Sequence, residues 1–197
     1  MKKGILKTAA TVLLTLGIQT GASQAVAQNA NQIVLENFNG KKVLVVYFSH
    51  SGNTRTIANQ LRDLTGADVF EIEPVTPYPS DYHATTEQAQ KEIRAGFQPS
   101  IKQGPDNLSD YDVVFVGSPC WWSTIAPPVV TFLNTHDLSG KTVIPFSTHG
   151  GSGLARNASD TAKLTPHSKV LDGKAFWGSR VEEAKSDVES WLKDLKI

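Results

Sequence analysis

Two kinds of hydrophobic run alternate along this chain. Val43-Leu44-Val45-Val46-Tyr47-Phe48 and Asp112-Val113-Val114-Phe115-Val116-Gly117 are short, unbroken β-branched and aromatic stretches. That is the pattern of strands buried on both faces, which belong to parallel sheets. Shorter runs at 68–73, from Lys141 through Phe146 and at 175–177 read as further strands. Between them the spacing changes to that of helices. Ile57, Leu61 and Leu64 fall three and four apart and the pattern stops at Gly66, a helix C-cap residue. Residues 80–95, rich in Glu, Gln, Lys and Ala, predict a mostly exposed helix. Pro127-Pro128 opens another that runs to about His136, since proline is tolerated in a first turn. A short helix over 158–164 and a last one over 182–195, with Val188, Trp191, Leu192 and Leu195 on one face, complete the series. Five strand–helix alternations predict an α/β three-layer sandwich, because parallel neighbours need right-handed crossovers that place helices on both faces.

Ahead of this pattern, Lys2 and Lys3 precede an apolar run through Val12, Leu13, Leu14, Leu16 and Ile18, and Ala25-Val26-Ala27 offers a small-x-small cleavage site. This is the layout of a bacterial secretory signal peptide over 1–27, cut after Ala27 with Ala25 as the next choice. The run is shorter than the ~20 residues of a bilayer span and is broken by threonines and a glycine, so no stable membrane insertion is expected after cleavage. The expected organisation is a signal peptide, a polar lead-in over 28–40 and one domain over 41–197, exported to a periplasmic or extracellular location.

The chain carries 19 basic and 19 acidic residues. Removing Lys2, Lys3 and Lys7 with the leader leaves 16 against 19, a mildly acidic protein for which nucleic acid is not an expected partner. Cys120 is the only cysteine, so no internal disulfide can form and stability has to come from the core.

In open parallel sheets, ligands bind beyond the carboxyl ends of the strands. Three unusual segments lie there. Ser49-His50-Ser51-Gly52-Asn53-Thr54 sits between a buried strand and a helix start, offering hydroxyls, an amide and free helix N–H groups to one point, as a phosphate monoester requires. It lacks the Gly-Lys-Ser/Thr ending of a P-loop, and the Gly-x-Gly-x-x-Gly fingerprint is absent. Read blandly, it is a capped strand-to-helix turn. Gly117 to Pro128 contains Pro119, Cys120, Trp121 and Trp122. Two tryptophans in such a segment cannot both be central core, so at least one offers a flat face for a planar ring, unless both close the end of the sheet. Thr148-His149-Gly150-Gly151-Ser152 lets backbone groups reach a ligand's polar rim, or is simply a mobile loop. Together they are the pieces that a riboflavin phosphate would need.

These residues resemble the flavodoxin family, and the resemblance covers nearly the whole chain after the leader. Ser49 to Thr54 is similar to the family's hydroxyl-rich phosphate loop. Tyr78 to Tyr82, Pro119 to Pro128 and Phe146 to Gly153 resemble a branch with a paired-tryptophan loop and a Thr-His-Gly-Gly-Ser turn. The resemblance implies a five-stranded parallel sheet in the order 2-1-3-4-5, the topology for which flavodoxin and its FMN site are the standard example. It implies FMN as cofactor: phosphate on Ser49, Ser51, Gly52, Asn53 and Thr54, the ring flanked by Pro119, Trp121 and Trp122, and its pyrimidine edge met by Thr148, Gly150, Gly151 and Ser152. His50, Cys120 and His149 fall within the same segments and count as candidate contacts. Ser123 stands where relatives often carry glycine, and Cys120 where they usually carry an aliphatic residue.

The expected function is electron transfer through bound FMN, with redox proteins or small electron acceptors as partners. The alternative on the same fold is an FMN-dependent NAD(P)H or quinone oxidoreductase, its substrate site built from the Tyr78 to His83 loop. No residue is assigned a catalytic role. Hydrolytic readings fail on the residues: Cys-x5-Arg would put arginine where Ala126 stands, and Gly-x-Ser-x-Gly is missing. His50, His83, His136, His149 and His167 show no metal spacing.

Overall fold

The structure, a computed structural model, describes Phe38 and residues 40–197. The predicted signal peptide and most of the lead-in lie outside the described residues. No helix among the described residues is long and apolar enough to cross a membrane.

Strand β1 (Val43–Tyr47) is buried at every position. Its odd residues Val43, Val45 and Tyr47 join one apolar cluster, and Leu44 and Val46 join another on the opposite face. This is why its sequence is uniformly apolar rather than alternating. On one face α1 (Asn53–Thr65) inserts Ile57, Ala58, Leu61 and Leu64, beside α5 (Lys185–Asp194) with Val188, Trp191 and Leu192. The other face is covered by α3 (Pro127–Thr135) through Val129, Phe132 and Leu133, with α2 (Tyr82–Ala95) and α4 (Asn157–Leu164) alongside. Helix α2 buries only Thr85 and Ala89 and starts at an Asp81 cap that accepts from the Ala84 N–H at 2.8 Å. The mostly exposed helix expected there is found.

The parallel sheet runs β2 (Asp68–Glu71), β1, β3 (Val113–Trp121), β5 (Thr142–His149), then a fifth position shared by β6 (Lys169–Val170) and β7 (Lys174–Trp177). In spatial terms this is the expected order 2-1-3-4-5. The fifth strand is split at 171–173, opposite Pro145, which has no N–H to offer an edge partner. There the Gly173 backbone approaches the Pro145 carbonyl so closely that a Cβ would lie 2.6 Å from it.

Three features depart from the pattern read off the chain. Strands β3 and β5 do not stop at Gly117 and Phe146 but continue as paired strands, Ser118 against Ser147 and Pro119 against Thr148. Beyond that, β3 folds back as a hairpin onto β4 (Thr124–Ile125), pairing Cys120 with Ile125 and Trp121 with Thr124. The turn consists of Trp122 and Ser123, at φ 51° and 66°, the left-handed geometry that matches strand twist in a two-residue turn. The last helix begins later than expected, after a 3-10 segment over 178–183.

Candidate functional site

The carboxyl ends of β1, β3 and β5 form one rim, and the structure brings all three unusual segments to it. The first leaves β1 at Ser49 and enters α1 through Gly52, at φ 93°. A left-handed glycine there turns the chain sharply and leaves the helix N-terminus without a side-chain cap. Ser49 Oγ is buried and meets no hydrogen-bond partner. Thr54, almost wholly buried, lies with its hydroxyl 2.9 Å from that of Thr148. His50 and Ser51 are exposed, and Gly52 and Asn53 half-buried.

No free guanidinium points at this turn from α1. Arg55 is engaged by Glu71 through two contacts, Nε at 2.9 Å and Nη2 at 2.5 Å, and Glu71 also accepts from the Tyr47 hydroxyl at 2.9 Å. Burial, followed by the Glu71 carboxylate, pushes the Tyr47 phenol up to about 12. An anion at the turn would therefore be met by hydroxyls, amides and the helix dipole rather than by Arg55.

The second segment is the β3–β4 hairpin. Trp121 is held edge-on by Phe48, His50 and Tyr78, with ring centroids at 5.5, 6.0 and 5.0 Å. Tyr78 in turn donates its hydroxyl to Glu92. Trp122 is different: half of it is exposed, and its Nε1 donates to the Thr86 carbonyl on α2 at 3.0 Å. One tryptophan thus closes the end of the core while the other offers a face. Cys120 is a half-buried ladder residue, and Ser118 Oγ accepts from the Ala126 N–H at 2.8 Å, tying the two arms of the hairpin together.

The third segment comprises the last residues of β5 and the turn that follows it. Thr148 is buried against Thr54, while Gly150, Gly151 and Ser152 are exposed. His149 Nδ1 accepts from the Gly151 N–H at 3.0 Å, which leaves the proton on Nε2, and burial lowers its pKa below the usual histidine value. Two neighbours were not singled out from the sequence. Trp177, half-exposed at the end of β7, lies 4.7 Å from the His149 ring. Gly178 follows it, and Asn53 packs over that glycine: a Cβ there would lie 2.7 Å from Asn53 Nδ2 and 3.4 Å from the His149 carbonyl. The pair Trp177-Gly178 carries the same signal as Trp121-Trp122, an aromatic residue at the carboxyl end of a strand.

A separate depression of about 350 Å³ lies at the opposite end of the sheet, lined by residues 133–139 and 164–168 where α3 and α4 finish. Its acid, Asp137, is held by the Ser139 N–H at 2.9 Å. No group of three or more metal-ligating side chains occurs among the described residues.

A doubly wound sheet with a hydroxyl-rich turn, an exposed indole and a glycine-rich turn on one rim defines a nucleotide-binding class of α/β protein. The sequence pattern of the flavodoxin family matches residues 42–195, and the chain belongs to that family. A provisionally assigned flavoprotein from Bacteroides eggerthii is 32% identical with a TM-score of 0.72, over 80% of this chain and 99% of that one. A second from Bacteroides uniformis is 28% identical with a TM-score of 0.69, over 79% and 100%. A flavoprotein from Lactobacillus acidophilus, solved in complex with FMN, shares the fold at 24% identity and a TM-score of 0.60, over 73% and 98%. No curated protein matches the chain.

Proposed function

We infer that the rim binds FMN and that the chain is an exported electron-transfer flavoprotein. The observation that carries this reading is Ser49, a buried hydroxyl without a partner beside an uncapped helix N-terminus. A buried polar group left unmade costs about 1–3 kcal/mol, and a phosphate oxygen at that point would satisfy it. The fold shared with an FMN-bound relative adds support. Bound FMN would supply reversible one- and two-electron chemistry, and the protein's part is to hold and orient it.

In this reading Ser49, Ser51, Asn53 and Thr54, with the Gly52 backbone, hold the phosphate. His50 and the hairpin residues Pro119, Cys120, Trp121 and Trp122 flank the ring, and Trp122 supplies the stacking face because it is the more exposed of the two, Trp121 being half-buried and packed against three rings. Thr148, His149, Gly150, Gly151 and Ser152 meet the polar edge. Export rests on the leader pattern through Ala27. With no twin arginine in it, the chain crosses the membrane unfolded and acquires FMN outside the cytoplasm.

A second reading, an NAD(P)H or quinone oxidoreductase, is favoured by Tyr82. Its side chain is 74% exposed at the start of α2, one turn before the Thr86 carbonyl that anchors Trp122, so an open aromatic face stands beside the rim. Steady-state quinone reduction with NADPH separates the two readings. FMN titration of purified protein, followed by loss of flavin fluorescence, tests both. One-to-one saturation, weakened at least about ten-fold by Asn53→Leu, is expected; no saturation sinks the cofactor assignment.

A further inference from the structure

A groove of about 280 Å³ runs between the end of α2, strand β4, the first turns of α3 and the outer face of α4. Its floor is apolar, formed by Ile93, Ile125, Val130 and Leu164, and Phe97 stands at its edge more than half exposed. The α4 wall is charged and unevenly so. Arg156 and Lys163 converge on one carboxylate, Asp160, at 3.5 and 3.0 Å. Both cations are largely exposed, whereas Asp160 is mostly covered. One positive charge is left over, and the Arg156 guanidinium donates no close hydrogen bond among the described residues, its nearest carboxylate contact being the 3.5 Å one. On the α2 wall Glu92 has both oxygens engaged, by the Tyr78 hydroxyl and by Gln88 Nε2 at 2.8 Å.

This distribution fixes the polarity of an occupant. A planar guanidinium with open donors matches a carboxylate, while the Glu92 side repels one. A ring or branched chain would then lie across the apolar floor against Phe97. The same wall also grips the rim hairpin: Asp160 Oδ2 accepts from the Thr124 hydroxyl at 2.7 Å, and the Arg156 N–H donates to the Ser123 carbonyl at 3.1 Å. Drawing the Arg156 guanidinium onto a ligand removes one of the two cations on Asp160. Asp160 is the group that positions Thr124, next to a turn whose two non-glycine residues sit at positive φ.

We propose that this groove binds a small apolar carboxylate, of the arylalkanoic type, and that its occupancy is transmitted through Asp160 to the Trp122–Ser123 turn. The proposal does not depend on FMN. The test titrates purified protein, with and without FMN, with 3-phenylpropanoate and with its neutral amide, following heat and backbone NMR shifts. The carboxylate binds one-to-one and at least ten-fold more tightly than the amide. Arg156→Gln weakens it about ten-fold, and Val130→Phe, which fills the floor, abolishes it. The Ser123 and Thr124 amides and the Trp122 indole N–H shift on binding. Equal affinity for the amide overturns the site, as does affinity indifferent to Arg156→Gln. Because Thr124 itself lines the groove, binding that leaves the Ser123 amide and the Trp122 indole signals in place overturns the transmission. If Val130→Phe does not fold, the amide comparison and Arg156→Gln decide alone.

Discussion

The hydroxyls of Thr54 and Thr148 lie 2.9 Å apart in the interior, although 94 residues separate them along the chain. Each is the other's partner, and together they fasten the start of α1 to the end of β5. Replacing Thr148 with valine keeps the shape but strands the Thr54 hydroxyl, at a predicted cost of about 1–2 kcal/mol. The double variant Thr54→Val, Thr148→Val removes both polar groups and recovers part of that loss. Urea unfolding of the two singles and the double measures the coupling; strictly additive losses would show that the contact contributes nothing.

Gly178 governs Asn53 by leaving room for it. In Gly178→Ala the new Cβ meets Asn53 Nδ2 at 2.7 Å. The obstacle is the far end of a side chain, so the amide swings away and the fold survives, with a stability change under about 1 kcal/mol. If Asn53 grips the FMN phosphate, affinity for FMN falls about ten-fold, the loss of one well-placed hydrogen bond to a charged group. Unchanged affinity would remove Asn53 from the phosphate site.

Much of this was legible in the sequence because the burial that shaped it is simple. Val43 to Phe48 is apolar at every position since both faces of β1 are covered, and Ile57, Leu61 and Leu64 recur at helical spacing since one face of α1 is. The convergence of the Ser49, Trp121 and Thr148 segments follows from the same topology. The hairpin was not legible, because its turn residues are Trp122 and Ser123 rather than the Asn-Gly or Asp-Gly pairs that advertise positive φ. Nor was the meeting of Asn53 with Gly178 and of His149 with Trp177. Those contacts arise from the pairing of β7 with β5, and β7 is a four-residue edge strand in a position shared with the two-residue β6.

Gly117 is a packing glycine in the middle of β3. A Cβ there would lie 2.2 Å from the Phe146 ring, itself fully buried in the neighbouring strand. The ring cannot retreat through a filled core, so Gly117→Ala is predicted to cost about 2–3 kcal/mol by overpacking. Denaturant midpoints check this, and Phe146→Leu in the same background should restore part of the loss. A Gly117→Ala protein as stable as the parent would mean the Phe146 ring moves freely.

His149 makes the protein's stability depend on pH in a defined direction. Burial lowers its folded pKa below the ordinary 6.5, so the neutral ring is the form the fold prefers. Protonation then favours the unfolded chain. Nothing is lost above the unfolded pKa, stability falls as pH drops through about 6.5, and the loss levels off below the folded pKa. The neutral ring is also the form whose Nδ1 accepts from the Gly151 N–H, so acid loosens the glycine-rich turn before it unfolds the domain. Urea midpoints between pH 7.5 and pH 5 should therefore decline more in the parent than in His149→Gln, and the His149 ring signal should titrate below 6.5 by NMR. A midpoint at or above that value, or identical pH profiles for the two proteins, would show that the ring is not held neutral by its surroundings.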